Sequence, residues 1–216
     1  MQISGGHTVT LNVSTNVASI LINLANSKLI TDGVAHTVTM TVAAANCLTI
    51  RNLATLDTSA STAGNEITFS CPNMTSTSQA VIAGQYGSPF QGGETLKLYH
   101  AIIQPSGGGD CIFVANPFGG FSVDVRYSKC SNGTRMFSST SALPNAAFIG
   151  NICDTMASHC IAPQNGDSNG WTVTDNTDIN SVVEGALLRV PGAVNGVVIA
   201  RNAAYGSGVA RQVAIL

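Results

Sequence analysis

The chain has 216 residues, and only 9% of them are charged, 9 Lys plus Arg against 11 Asp plus Glu, for a net charge of -2; an average globular chain carries about 25%. With 44% hydrophobic residues it is not disordered. Its scattered cations offer no basic stripe for nucleic acid or an anionic membrane, and no apolar run approaches the roughly 18 residues of a spanning helix. The exterior must therefore be built from neutral groups, and 21 Ser, 21 Thr, 18 Asn and 22 Gly supply them.

The length fits a single domain over 1–216. Residues 1–8 have neither a charged n-region nor an apolar h-region, so the expectation is a chain made in the cytoplasm or one trimmed of its leader. The first element is His7-Thr8-Val9-Thr10-Leu11-Asn12-Val13, which alternates polar and apolar residues with the period of a strand. The same words recur 29 residues later at His36-Thr37-Val38-Thr39-Met40-Thr41-Val42, and at that offset Asn23-Leu24-Ala25 returns as Asn52-Leu53-Ala54. An internal repeat follows, with His7 and His36 at equivalent positions.

Its later copies share one phrase, a short apolar strand closed by Asn. The copies are Ile20-Leu21-Ile22-Asn23, Leu48-Thr49-Ile50-Arg51-Asn52, Ile112-Phe113-Val114-Ala115-Asn116, Ala147-Phe148-Ile149-Gly150-Asn151, Trp171-Thr172-Val173-Thr174-Asp175-Asn176 and Val197-Val198-Ile199-Ala200-Arg201-Asn202. A looser copy ends at Asn73, and the segment 95–103 supplies an unmarked turn as one strand. Spacings of roughly 21–35 residues per turn suit a solenoid, which tolerates variable loops around a fixed strand and corner. Asn23, Asn52, Asn116, Asn151, Asn176 and Asn202 are expected to form one ladder, each accepting the left-handed backbone of a bend. The alternative fold, a β-sandwich or jelly roll, gives no reason for a recurrent Asn.

Two Gly- and Pro-rich excursions interrupt the pattern, at 84–93 and 163–170. The first carries Tyr86, Pro89 and Phe90 and is expected to be a contact loop. The final segment, 209–216, holds little charge besides Arg211, so its edge is expected to be covered by another subunit.

At this point the chain resembles right-handed parallel β-helix proteins, the architecture of pectate lyases and many phage tailspikes, through phrases such as Leu48-Thr49-Ile50-Arg51-Asn52 and Val198-Ile199-Ala200-Arg201-Asn202. The resemblance implies an all-β, right-handed parallel β-helix of about eight coils. By analogy with viral β-helices it also implies a homotrimer.

The chemistry available to such a rod is thin. Asp175 and Arg201 each precede a closing Asn on successive coils, with Asp154 and Asp178 nearby. A polysaccharide lyase or hydrolase would draw on these four, whereas the structural reading is a cross-coil ion pair at a bend. Asp167-Ser168-Asn169-Gly170 opens like a calcium loop but lacks the downstream Glu. His159 beside Cys160 suggests a nucleophile only if a turn brings the two together. The six cysteines, Cys47, Cys71, Cys111, Cys130, Cys153 and Cys160, contain no CxxC pair. Buried free thiols are therefore expected rather than zinc, with Cys153 and Cys160 able to bridge a loop in an oxidising medium.

Neither cofactor nor metal is expected. Thr8/Thr10, Thr37/Thr39/Thr41 and Thr172/Thr174 raise a third idea, an ice-binding array. The sequence thus points first to a structural virion surface protein, a phage capsid cement or decoration protein synthesised in the host cytoplasm. Its partners would be its own copies and the major capsid or another virion protein, with no nucleic acid and no membrane.

Overall fold

The computed structural model describes residues 1–41, 46–75, 79–84, 93–106, 108–115, 121–140, 143–163, 168–181, 187–190, 192 and 194–205. Short strands follow one another around three faces. The first coil holds β1 (Gln2–Ile3), β2 (Thr8–Leu11) and β3 (Thr15–Val17), and the second β4 (Ile20–Asn23), β5 (Lys28–Thr31) and β6 (His36–Met40). The third has β7 (Leu48–Arg51), β8 (Thr55–Asp57) and β9 (Ile67–Cys71), and the fourth β10 (Val81–Ala83), β11 (Thr95–Tyr99) and β12 (Ala101–Pro105). The fifth contains β13 (Ile112–Val114), β14 (Ser122–Arg126) and β15 (Lys129–Ser131), and the sixth β16 (Phe137–Ser139), β17 (Ala147–Ile149) and β18 (Ile152–Asp154). Above them lie β19 (Thr172–Thr174), β20 (Thr177–Ile179), β21 (Val198–Ala200) and β22 (Ala203–Tyr205).

Like faces stack on like. Face 1 runs β1-β4-β7-β10-β13-β16, face 2 β2-β5-β8-β11-β14-β17-β19-β21, and face 3 β3-β6-β9-β12-β15-β18-β20-β22. Parallel bridges from Phe137 to Ile161 and from Ile161 to Leu188 carry face 1 further. Every strand pairing is parallel, so the chain is a right-handed parallel β-solenoid and the sandwich alternative is excluded.

Period-two alternation gives each strand one inward residue in two, and these fill the rod. Leu29, Leu56, Leu96 and Val123 form one such column behind face 2, and Leu98, Val125, Phe148 and Val173 form a second, all buried. In the upper coils Phe137, Phe148 and Trp171 meet at ring-centroid distances of 4.6 to 5.9 Å. The Trp171 indole N–H is satisfied by the Leu143 carbonyl.

Several expectations change in the structure. The segment 95–103 is not one strand but β11 and β12, bent at His100, whose φ is 49°. The repeat at an offset of 29 is genuine for Asn23 and Asn52, whose amides bond at 2.7 Å. It fails for His7 and His36: the strand after His7 lies on face 2, whereas His36 opens β6 on face 3. Alternation looks the same on every face, so the phrase does not reveal which face it occupies. Asn116, the loop residues Tyr86, Pro89 and Phe90, Asp167 and the segment 209–216 lie outside the described residues.

Four of the six cysteines are paired, Cys111 with Cys130 and Cys153 with Cys160, while Cys47 and Cys71 are buried thiols. The expectation of free thiols thus fails for four residues, and the Cys153 to Cys160 bridge forms as anticipated. That bridge also removes Cys160 as a nucleophile beside His159.

Candidate functional site

The corner between faces 2 and 3 is one residue tight. His100, Tyr127, Gly150, Asp175 and Arg201 occupy it in successive coils, with φ between 49° and 66°. At this corner the left-handed residue is therefore not the Asn. Asn151, Asn176 and Asn202 come next and turn inward, with Ser128 and Ala101 at the same place in the coils below.

Their task is hydrogen bonding. Each Asn Oδ1 accepts the backbone N–H of its counterpart one coil below, at 3.0 Å for Ser128 to Asn151, 3.0 Å for Asn151 to Asn176 and 2.9 Å for Asn176 to Asn202. Each Nδ2 donates to a carbonyl of the coil below, from Asn151 to Val125, Asn176 to Phe148 and Asn202 to Val173, at 2.8 to 2.9 Å. Ser128 does the same with one hydroxyl, accepting from Ala101 N and donating to Leu98 O. The expected single Asn ladder is thus two: this one, and the Asn23–Asn52 pair between faces 1 and 2, where Asn52 itself takes φ 57°.

The corner side chains that point outward form a belt with the ends of the neighbouring strands. The His100 ring stacks on the Tyr127 ring with centroids 5.2 Å apart. Tyr127 lies over Gly150, where a Cβ would come within 2.6 Å of the ring. On face 2, Asp57, Lys97 and Asp124 stand in register on three successive strands. Asp124 accepts the Tyr99 phenol at 2.5 Å and Arg126 Nε at 2.7 Å, and the guanidinium lies 5.2 Å from the Tyr99 ring centre. Burial and the bond to Asp124 push the Tyr99 phenol up to about 12. Lys97 faces Asp57 at 3.9 Å.

This ladder escaped the sequence reading, although a signal was present. Thr95-Leu96-Lys97-Leu98-Tyr99 and Ser122-Val123-Asp124-Val125-Arg126 share a hydroxyl-aliphatic-charge-aliphatic pattern that places the charges on one exposed line.

The four residues considered for polysaccharide cleavage do not converge. Asp175 and Arg201 form a two-pronged, exposed ion pair at the corner, 2.6 and 2.7 Å, as the structural reading expected. Asp154 lies on face 3, held by Lys129 at 2.7 Å and by Asn180 at 3.2 Å. Asp178 points into the rod, fully buried, and accepts the Ser181 hydroxyl. The Lys129 ammonium holds the Asp154 carboxyl below its usual value, and the Arg201 guanidinium does so for Asp175.

Two further carboxylates are buried. Glu94 accepts Asn52 N at 2.9 Å, and its burial raises its pKa. Asp110 is paired with Arg135 at 2.8 Å within a column at the corner between faces 3 and 1, where Gln79 N donates to Asn46 and Asp110 N to Gln79. Near the foot of face 3 a polar hollow of about 210 Å³ includes His36 and Glu66. Both are already engaged, His36 by Asp32 at 3.1 Å and Glu66 by Gly64 N at 2.9 Å. Among the described residues no group of three or more His, Cys, Asp or Glu is placed to hold a metal ion.

The threonine phrases are divided between two faces. Thr8, Thr10, Thr172 and Thr174 lie on face 2, and Thr37 and Thr39 on face 3.

These features define the chain as a parallel β-solenoid whose corners are locked by amide ladders and whose described carboxylates each have a partner within the rod. No protein-family model, curated protein or solved structure matches it.

Proposed function

We propose that the protein is a structural scaffold that docks its side faces on other protein subunits, in the setting of a phage capsid cement or decoration protein. One observation carries this reading: every described carboxylate is already committed to a partner within the rod. Asp57, Asp110, Asp124, Asp154 and Asp175 are ion-paired, and Asp32, Glu66, Glu94 and Asp178 are hydrogen-bonded. A surface on which charges are matched beforehand docks against protein with little ionic desolvation. The two disulfides support a working life outside a reducing cytosol, as on a virion surface after synthesis in the host cytoplasm.

The test joins light scattering with an activity screen. The expected result is a homo-oligomer, a trimer by the virion reading, that releases no sugar from a panel of polysaccharides. A strict monomer that releases oligosaccharide would overturn the proposal.

A second reading, polysaccharide recognition or cleavage, rests on face 2. Asp57 and Asp124 stand two strands apart, about 9.6 Å by the inter-strand spacing, near the upper end of the range for carboxylate pairs that activate water. Lys97 stands between them and Arg126 holds Asp124, which weighs against it. Loss of turnover in both Asp57→Asn and Asp124→Asn would establish this second reading. The ice-binding idea has no single flat array to rest on, and thermal hysteresis in concentrated solution is its test.

A further inference from the structure

Cys47, Cys111 and Cys160 occupy one column of the rod. Leu48, Val81, Ile112, Phe137 and Ile161 are register partners on face 1, so the residues just before them, Cys47, Ala80, Cys111, Met136 and Cys160, stack on one another. All three cysteines are fully buried. Two of them reach across the interior to a cysteine on face 3, Cys111 to Cys130 of its own coil and Cys160 to Cys153 of the coil before. Cys47 has the same opportunity, because Cys71 ends β9 in its own coil, is also fully buried, and lies in hydrogen-bond contact with the Cys47 sulfur. Cys71 sits two residues further along its strand than the column of Cys130 and Cys153, since it pairs with Pro105 where Cys130 pairs with Ile103.

We infer that Cys47 and Cys71 are the site of a third interior disulfide, made by exchange with a low-molecular-weight disulfide such as oxidised glutathione. One thiol loses its proton and attacks the small disulfide, releasing one small thiolate and leaving a mixed disulfide. The second cysteine, deprotonated in turn, attacks the protein sulfur of that bond and releases the other small thiolate. The protein gives up two electrons and two protons, and the small disulfide is reduced to two thiols. In the closed coil the hydrogen bond from Cys71 holds the Cys47 thiol down, and the Cys47 sulfur and burial push Cys71 up, as expected for two sulfurs in contact. Both sulfurs are shut away once the third coil closes, so the exchange belongs to folding.

The pairing depends on the geometry of the third coil and not on the docking role, so its failure leaves that role untouched. The chain is reduced, unfolded, refolded in a glutathione redox buffer, then alkylated in denaturant and digested with trypsin without reduction. Cleavage after Lys28, Arg51 and Lys97 puts Cys47 and Cys71 in separate peptides. The expected result is a linked pair of these peptides and no alkylated cysteine. Alkylation of both Cys47 and Cys71 while Cys111–Cys130 and Cys153–Cys160 are linked overturns the inference, as does either residue linked elsewhere. The same map on protein produced in an oxidising compartment gives the answer should refolding fail. A Cys47→Ser variant is expected to show Cys71 alkylated and the other two bridges intact.

Discussion

Replacing Asn176 with Ala tests the corner ladder where it is most buried. The side chain is fully enclosed, donates to Phe148 O at 2.8 Å and to Asn202 Oδ1 at 2.9 Å, and accepts Asn151 N at 3.0 Å. Alanine leaves the Asn151 amide without a partner in a dry corner and takes from the Phe148 carbonyl the second of its two bonds, the parallel ladder still supplying Thr174 N. The orphaned donor costs about 1–3 kcal/mol and the lost second bond about 0.5–1.5 kcal/mol, so the variant should lose about 1.5–4.5 kcal/mol. For a chain of this length a central loss of about 3 kcal/mol lowers Tm by roughly 6–12 °C. Circular dichroism melts would measure it, with amide exchange at Asn151 to localise the loosening. Asn176→Ser should recover part of the loss, because Ser128 already makes both kinds of bond with one hydroxyl in a lower coil. Asn176→Asp should do no better than Ala at neutral pH, since it cannot donate and it buries a charge. The exposed Thr37→Ala on face 3 is the control. Should Asn176→Ala melt within a degree or two of that control, the ladder is an accompaniment of the corner rather than what holds it.

Gly150→Ala should destabilise by about 1–2 kcal/mol through its left-handed backbone alone, and by more because the new Cβ meets the Tyr127 ring at 2.6 Å. A double-mutant cycle with Tyr127→Ala should return the steric part and leave the backbone part; strict additivity would contradict the contact. Reduction of the disulfides should lower stability in proportion to loop length, with separations of 19 and 7 residues giving about 3.3 and 2.5 kcal/mol by the chain-entropy relation. Denaturant melts of Cys111→Ala/Cys130→Ala and Cys153→Ala/Cys160→Ala would rank them, and the reverse order would refute the relation here. Glu94 is the acid-side test. Its folded pKa is raised by burial, so the fold binds that proton more tightly than the open chain, and stability is lost as pH rises through the folded pKa. Glu94→Gln keeps an oxygen for Asn52 N and should gain on the parent as pH climbs from acid to neutral; a constant gap between the two melts would show that Glu94 does not carry the effect.

The fold was legible in the sequence because two corners demand special residues and the strands between them demand alternation. The faces were not. A strand closed by Asn is read identically whether the Asn itself takes the bend, as Asn52 does, or follows a bend taken by Gly150, Asp175 or Arg201. The two cases need different chemistry, a tolerated left-handed backbone in the first and a bifunctional amide in the second, yet both select the same letter. The Asp175–Arg201 pair could be anticipated because both residues sit one place before a closing Asn, which fixes their coil and their corner. Asp154 and Asp178 could not be placed by proximity in sequence. Their order along the chain gives no parity: Cys153 pairs with Asp178 and both turn inward, whereas Asp154 pairs with Ile179 and turns out.

The same logic explains how so sparsely charged a chain matches its described charges along the rod. In a parallel stack, a residue's neighbours along the rod are its register partners, one coil above and one below, about 4.8 Å away. A lone carboxylate on an outer face thus meets whatever the next coil places in its column, and evenly mixed signs neutralise each other without long-range design. Asp57, Lys97 and Asp124 do this on face 2 and Asp175 with Arg201 at the corner, while on face 3 Lys129 reaches Asp154 diagonally, two residues off its own register partner Ile152. A catalytic pair would require the opposite, two carboxylates left unneutralised and facing one substrate. Asp57 and Asp124 come nearest to that arrangement, and Lys97 stands between them. Lys97→Ala is therefore the informative substitution on this face. If it confers binding or cleavage of a polysaccharide that the parent lacks, a dormant carboxylate pair has been uncovered; if it only lowers stability slightly and changes self-association, the column serves as an electrostatic spine and the docking role stands.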